Sequence, residues 1–143
     1  MEAARSPKSE FMRLLINNGA EVNIKNVDQG TPLLRCFDLS YAQVETRCNN
    51  GETAKMLVEA GAYVNVTDAL GRTPLGEAAQ VGNSEAVEIL VNAGACIDQA
   101  CSILSEDPPN RYEVDRLMLT PLSWAARNGH DEVVQLLLKN GDD

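Results

Sequence analysis

The chain has no long apolar run. Crossing a bilayer as a helix takes about 20 apolar residues, and runs such as Leu136–Leu138 stop after three. The first ten residues, Met1 to Glu10, are polar and hold no apolar signal-peptide core. Secretion or membrane insertion is therefore not expected, and an intracellular setting, cytoplasmic or nuclear, is. Histidine is nearly missing, with His130 alone. No acid and nucleophile pattern surrounds it, so the constellation an enzyme needs is not legible. Phosphate-cradling loops are missing too: Gly19, Gly30 and Gly71 are isolated turn glycines, and Gly94, Gly129 and Gly141 close turns or helices. Positive charge is scarce. Twelve Lys and Arg stand against 21 Asp and Glu, a net charge of −9. That balance opposes phosphate backbones, disfavours nucleic acid, and favours a partner with a basic surface.

Four cysteines are present: Cys36, Cys48, Cys96 and Cys101. A chain of 143 residues can build a core without disulfides, so free thiols in a reducing compartment are the better reading. The Cys-x4-Cys spacing of Cys96 and Cys101 is loose for zinc, and no second close pair accompanies it. No metal or cofactor is expected. With 44% hydrophobic and 23% charged residues, the composition is that of one globular domain.

What the chain does have is repetition. Thr-Pro-Leu occurs at Thr31–Leu33, Thr73–Leu75 and Thr120–Leu122. An apolar run ending in Gly occurs as LLINNGA, LVEAGA, LVNAGA and LLKNGD, at residues 14–20, 57–62, 90–95 and 137–142. Gly to the next Thr is 12 residues at Gly19→Thr31 and at Gly61→Thr73; Thr to the next Gly is 21 at Thr73→Gly94 and at Thr120→Gly141. The unit is 33 residues. Thr31→Gly61 is longer by 9, and Gly94→Thr120 by 14.

Each signal has a local meaning. A Thr hydroxyl caps a free helix amide, and Pro fits the first helical position. Thr73-Pro74 should open a short helix ending near Val81-Gly82, and Ser84 should cap a second, Glu85 to Asn92, closed by a left-handed Gly94. Asp131 and Glu132 at the start of the last helix, with Lys139 at its end, suit the helix dipole. Helices this short are marginal alone and gain stability by stacking, as in a solenoid.

These residues resemble the ankyrin-repeat family. The stretch TPLSWAARNGHDEVVQLLLKNG, residues 120–141, is the best match, followed by ALGRTPLGEAAQVGNSEAVEILVNAGA, residues 69–95. The resemblance implies an all-α solenoid of stacked antiparallel helix pairs with β-turn fingers between repeats. On this reading residues 1–143 form one domain: a partial repeat 9–26, a repeat 27–67 with an insertion near 40–48, a repeat 68–100, a finger insertion near 101–117, and a repeat 118–143. Because the first repeat begins at its second helix and neither end shows a polar cap, the chain is expected to be a piece of a longer array. Phe11, Met12 and Leu15 are expected to be partly uncovered at the N-terminal edge.

The chain departs from the family pattern in places. The His that usually follows Thr-Pro-Leu is replaced by Leu34, Gly76 and Ser123, which should remove the Thr side chain's partner in every copy. Gln29 and Met118 stand where Gly71 makes its turn, so those two fingers should turn differently. The first insertion should extend the inner helix until Asn49-Asn50-Gly51 turns the chain. Cys36, in register with Ala78 and Ala125, should be a small core residue, and His130 should be structural. Trp124 is expected to pack rather than face the groove.

The resemblance also implies a function, non-catalytic binding of a protein or peptide in a concave groove of inner helices and fingers. The matching finger positions are Lys25, Val27 and Asp28, then Ala69, Leu70 and Arg72, then Arg111, Tyr112, Arg116 and Leu117 in the longer finger. The matching inner-helix ends are Asp38 and Leu39, Gln80 and Val81, and Arg127 and Asn128, with Trp124 beside them. Tyr, Trp and Arg among these are the natural anchors. Two alternatives stand: a structural segment of a longer array, or a targeting or regulatory part of an enzyme.

Overall fold

In the computed structural model, residues 7–37, 50–102 and 118–141 are described. The elements run α1 Pro7–Asn17, α2 Pro32–Arg35, α3 Asn50–Glu59, α4 Pro74–Val81, α5 Ser84–Asn92, β1 Cys101–Ser102, β2 Met118–Leu119, α6 Pro121–Arg127 and α7 Asp131–Gly141. They stack in two layers. The inner layer is α2, α4 and α6; the outer is α1, α3, α5 and α7; each inner helix packs against the outer helix that follows it. This is the all-α solenoid of helix pairs.

The start signals work as their chemistry dictates. Thr31, Thr73 and Thr120 each have extended backbone and accept a hydrogen bond through the side chain from the amide three residues on, with Pro at the first helical position. The cap of α5 is different from expectation. Asn83, not Ser84, accepts from the Ala86 amide at 3.0 Å, and Ser84 is the first helical residue. Asn is at least as good a cap as Ser, and Gly82 before it fixes the approach of the chain.

Between the layers lies a continuous core: Leu33 and Phe37 of repeat two, Ala54 and Leu57 of α3, Leu75, Ala78 and Ala79 of α4, Ala86, Val87 and Leu90 of α5, Ala125 of α6, and Val133 and Leu137 of α7. Leu90 alone contributes about 2 kcal/mol through burial. The alanines matter by their size, since helix axes 8–10 Å apart need small residues at the crossing. Helix α4 is buried over six consecutive residues, Pro74 to Ala79, because it has neighbours on three sides. Cys36 packs against this core and its Sγ donates to the Pro32 carbonyl at 3.3 Å.

Helix α2 is assigned to Pro32–Arg35, Cys36 keeps helical backbone angles after it, and residues 38–49, where the extension was expected, lie outside the described residues. Two other local expectations are corrected. Asn50 and Gly51 do not form a turn but lie in the first turn of α3; Asn49 and the rest of that segment lie outside the described residues. The Thr side chain also keeps a partner in the last repeat, where the Ser123 hydroxyl lies 3.1 Å from Thr120 Oγ1 and replaces the missing His.

The fingers carry a further correction. Gln29 adopts a left-handed φ of 62°, matching Gly71 at 78°. The two turns share their bonds. Asn26 Oδ1 accepts from the amides of Asp28 and Gly30, as Asp68 Oδ1 does from Leu70 and Arg72. The side-chain acceptor at the first position holds the loop so firmly that Gln is forced into the conformation glycine prefers. Met118 does turn differently: it pairs with Ser102, and Leu119 with Cys101, in a two-rung antiparallel ladder at the base of the long finger.

Candidate functional site

The fingers and the inner helices share one face, and the sequence-nominated residues divide there by what they do for the fold. Asp68 is buried. It takes the Leu70 and Arg72 amides on one oxygen and the Arg72 guanidinium on the other, at 2.7 Å. Arg72 is thus a clamp inside its own finger, with only 15% of its side chain exposed. Asp28 meets Arg35 at 3.3 Å, and its carbonyl accepts from the Ala69 amide at 2.9 Å, tying one finger tip to the next.

At the other end of the face, the Gln80 carbonyl closes a junction between repeats. It accepts from Asn128 Nδ2 at 3.0 Å and lies 2.9 Å from His130 Nε2. A carbonyl only accepts, so the imidazole proton sits on Nε2. His130 is structural, and Gly82 makes room for its ring: a Cβ there would lie 2.6 Å from Cε1 and 2.7 Å from Cγ of His130.

Trp124 is 8% exposed, and its indole nitrogen is buried without a hydrogen-bond partner. As a groove anchor it is corrected: the ring is covered, with the Arg127 guanidinium 5.7 Å above its centroid. What remains accessible on this face is Lys25, Val27, Asp28, Ala69, Leu70, Arg127 and Asn128, with Gln80 and Val81 half-buried. Val27, at 94%, is the most exposed large apolar side chain described. Asp38, Leu39, Arg111, Tyr112, Arg116 and Leu117 lie outside the described residues.

One pair of residues escaped the sequence reading. Asn23 Oδ1 accepts from the Tyr63 amide at 2.8 Å while its Nδ2 donates to the Gly61 carbonyl at 3.0 Å. Asn65 does the same for Cys96 and Gly94, at 2.8 and 3.0 Å. Each amide side chain staples one repeat to the next. The signal was present, since both follow an aliphatic residue four positions after a helix-closing Gly. At the third such place stands Asp98, whose carboxylate has no N–H to give.

No group of three or more His, Cys, Asp or Glu poised for a metal exists among the described residues. No helix among them is long and apolar enough to cross a membrane.

Comparison with known proteins agrees with this geometry. A family model described as ankyrin repeats (3 copies) matches residues 1–101 and 39–143. A Rickettsia bellii (strain RML369-C) protein named for ankyrin repeats is 38% identical over 94 residues, covering 64% of this chain and 49% of its own length. FPV222 of fowlpox virus (strain NVSL), likewise named an ankyrin repeat protein, is 33% identical over 85 residues, 59% of this chain and 11% of that protein. The potassium channel SKOR of Arabidopsis thaliana is 34% identical over 85 residues, 59% of this chain and 9% of the channel. The chain thus spans from about a tenth to about half of these relatives' lengths.

Proposed function

The chain belongs to the ankyrin-repeat family, and on that premise we propose that it is a non-catalytic module holding a protein or peptide against the face of its fingers and inner helices. Ankyrin repeats are generally protein-interaction modules, and the family is typically non-catalytic. The observation that carries the reading is the division of labour on that face. Asn26, Asp68 and Arg72 build the fingers through their side chains, while the side chains of their neighbours Lys25, Val27 and Leu70 stand exposed. Exposed aliphatic tips beside cations are suited to a partner's surface. The reading carries with it an intracellular site of action, cytoplasmic or nuclear, where free thiols such as Cys36 and Cys96 stay reduced.

The test is partner capture. The immobilised chain and a Val27→Asp/Leu70→Asp variant are exposed to lysate of the source cells, and retained proteins are identified by mass spectrometry. A protein held by the first and lost from the second supports the reading. Equal retention by both removes this face from the account. Arg72 is unsuitable as a probe, because its reversal would break the finger's own ion pair.

A second reading has its own observation. Phe11 and Leu14 are 60% and 59% exposed, yet the residues in the same register of α3, Thr53 and Met56, are buried. The face of α1 is thus apolar where its successor is covered by α1 itself. This favours a structural segment of a longer array, with a further repeat seated on α1. The same capture tests it, with Leu14→Ser as the variant that loses the retained protein. The regulatory-arm alternative rests on the two insertions, residues 40–48 and 103–117 of which lie outside the described residues.

A further inference from the structure

The outer helices share a stacking contact near their starts. Ser9 Oγ of α1 donates to Glu52 Oε2 of α3 at 2.9 Å, and Arg13, four residues after Ser9, lies 4.0 Å from the same carboxylate. One repeat later, the Glu85 carboxyl group of α5 lies against Gly51 of α3: a Cβ on Gly51 would stand 2.7 Å from its carboxyl carbon. Ser9 and Gly51 occupy one register position, and Glu52 and Glu85 another. Ser84 of α5 and Glu132 of α7 repeat the pair in sequence. The residues three and seven positions after the small one are apolar. They are Met12 and Ile16, Ala54 and Val58, and Val87 and Val91, all in the core or packed against it. Helix α1 also holds the receiving half of this contact, and nothing fills it. Glu10 stands in the register of Glu52 and Glu85, yet it is exposed and without a partner among the described residues. Phe11 and Leu14 stand beside it, exposed where Thr53 and Met56 are buried.

We infer that the α1 face takes the outer helix of a further repeat with Ser or Gly opposite Glu10. Aliphatic residues follow three and seven positions later, and Arg or Lys four positions later. The inference rests on the second reading above, that a repeat is seated on α1, and names the chemistry of that repeat. Size sets the first position, because a longer side chain would take the place of the carboxyl group, as at Gly51. Charge sets the fourth, where Arg13 shows how a cation meets this glutamate. The aliphatic residues cover Phe11 and Leu14, removing apolar surface from water. Charge also argues against a second copy of this chain. The helix such a copy would offer is α7, with Asp131 in the register of Ser9 and Gln135 in that of Arg13. Asp131 would then face Glu10 with no cation beside them, and like charges in contact repel.

The experiment is a selection on the intact chain from a phage-displayed library of ankyrin-repeat modules whose last outer helix is randomised on its exposed face. Enriched modules are then titrated. The supporting result is enrichment of Ser or Gly at the position of Ser84, with Arg or Lys four residues on. Affinity should fall about tenfold on Leu14→Ser and on Glu10→Lys, and stay unchanged on Lys139→Glu at the far end of the stack. Circular dichroism of the three variants checks the fold. Modules lost on Leu14→Ser but indifferent to Glu10→Lys, or enriched in large or acidic residues at the first position, overturn the Glu10 contact and leave the seated repeat standing. Modules that bind all forms alike, or no enrichment, overturn both. Sedimentation of the chain alone should show a monomer. A dimer that Leu14→Ser disperses overturns the separate repeat in favour of a second copy.

Discussion

Replacing Gly82 by Ala should cost about 2 kcal/mol, and the sum can be taken apart. Gly82 closes α4 at a left-handed φ of 75°. A side chain there costs about 1–2 kcal/mol in backbone strain, offset by about 0.4–1 kcal/mol because Ala stiffens the unfolded chain. The new methyl group also has nowhere to go, since the His130 ring occupies its place. To yield, the ring must give up its hydrogen bond to the Gln80 carbonyl, now 2.9 Å, worth about 0.5–1.5 kcal/mol. In a His130→Ala background only the strain remains, so Gly82→Ala should then cost about 1 kcal/mol. Urea unfolding of the four proteins in the double-mutant cycle measures the coupling, expected near 1 kcal/mol. Additivity within about 0.3 kcal/mol would refute the claim that Gly82 is glycine to admit His130.

Gln29→Gly should stabilise the chain by about 0.5–1 kcal/mol, and Gly71→Gln should destabilise it by a similar amount, because both positions hold the same left-handed turn; thermal unfolding of each reads this directly. Asn65→Ala removes two bonds between consecutive repeats and should cost about 1–2 kcal/mol in urea unfolding, with Asn65→Asp keeping only the acceptor half and falling between. Phe37→Ala empties a site that is 1% exposed at the end of α2 and should cost about 3–5 kcal/mol, with hydrogen exchange rising first in α2 and α3.

The repeat was legible because its marks are backbone chemistry: a Thr that caps, a Pro that cannot sit elsewhere, a Gly that closes. Those requirements are local, so three copies of Thr-Pro-Leu located the three inner helices among the described residues. The errors arose where a distant or competing group decided the outcome. Gln29 looked unfit for the turn, but Asn26 imposes it with two side-chain bonds. Ser123 lacks the imidazole of the family's His, yet its hydroxyl reaches Thr120 Oγ1 at 3.1 Å. Ser84 lost the cap to Asn83 one residue earlier, a contest between two good cap residues that sequence alone does not decide. The site was less legible. Arg72 and Arg127 look alike in the sequence, but one is spent on Asp68 and the other lies over Trp124. Which cations are held inside the molecule is a property of the fold.

The measurement that bears most directly on the central claim is a footprint of bound partner on the isotopically labelled chain, read by amide chemical-shift changes. Shifts clustered at Lys25 to Asp28, Ala69 to Arg72 and Gln80, and at Arg127 and Asn128, with α3 and α5 quiet on their exposed side, are the predicted result. Shifts confined to the exposed residues of α1, α3, α5 and α7, with the fingers unchanged, would contradict it.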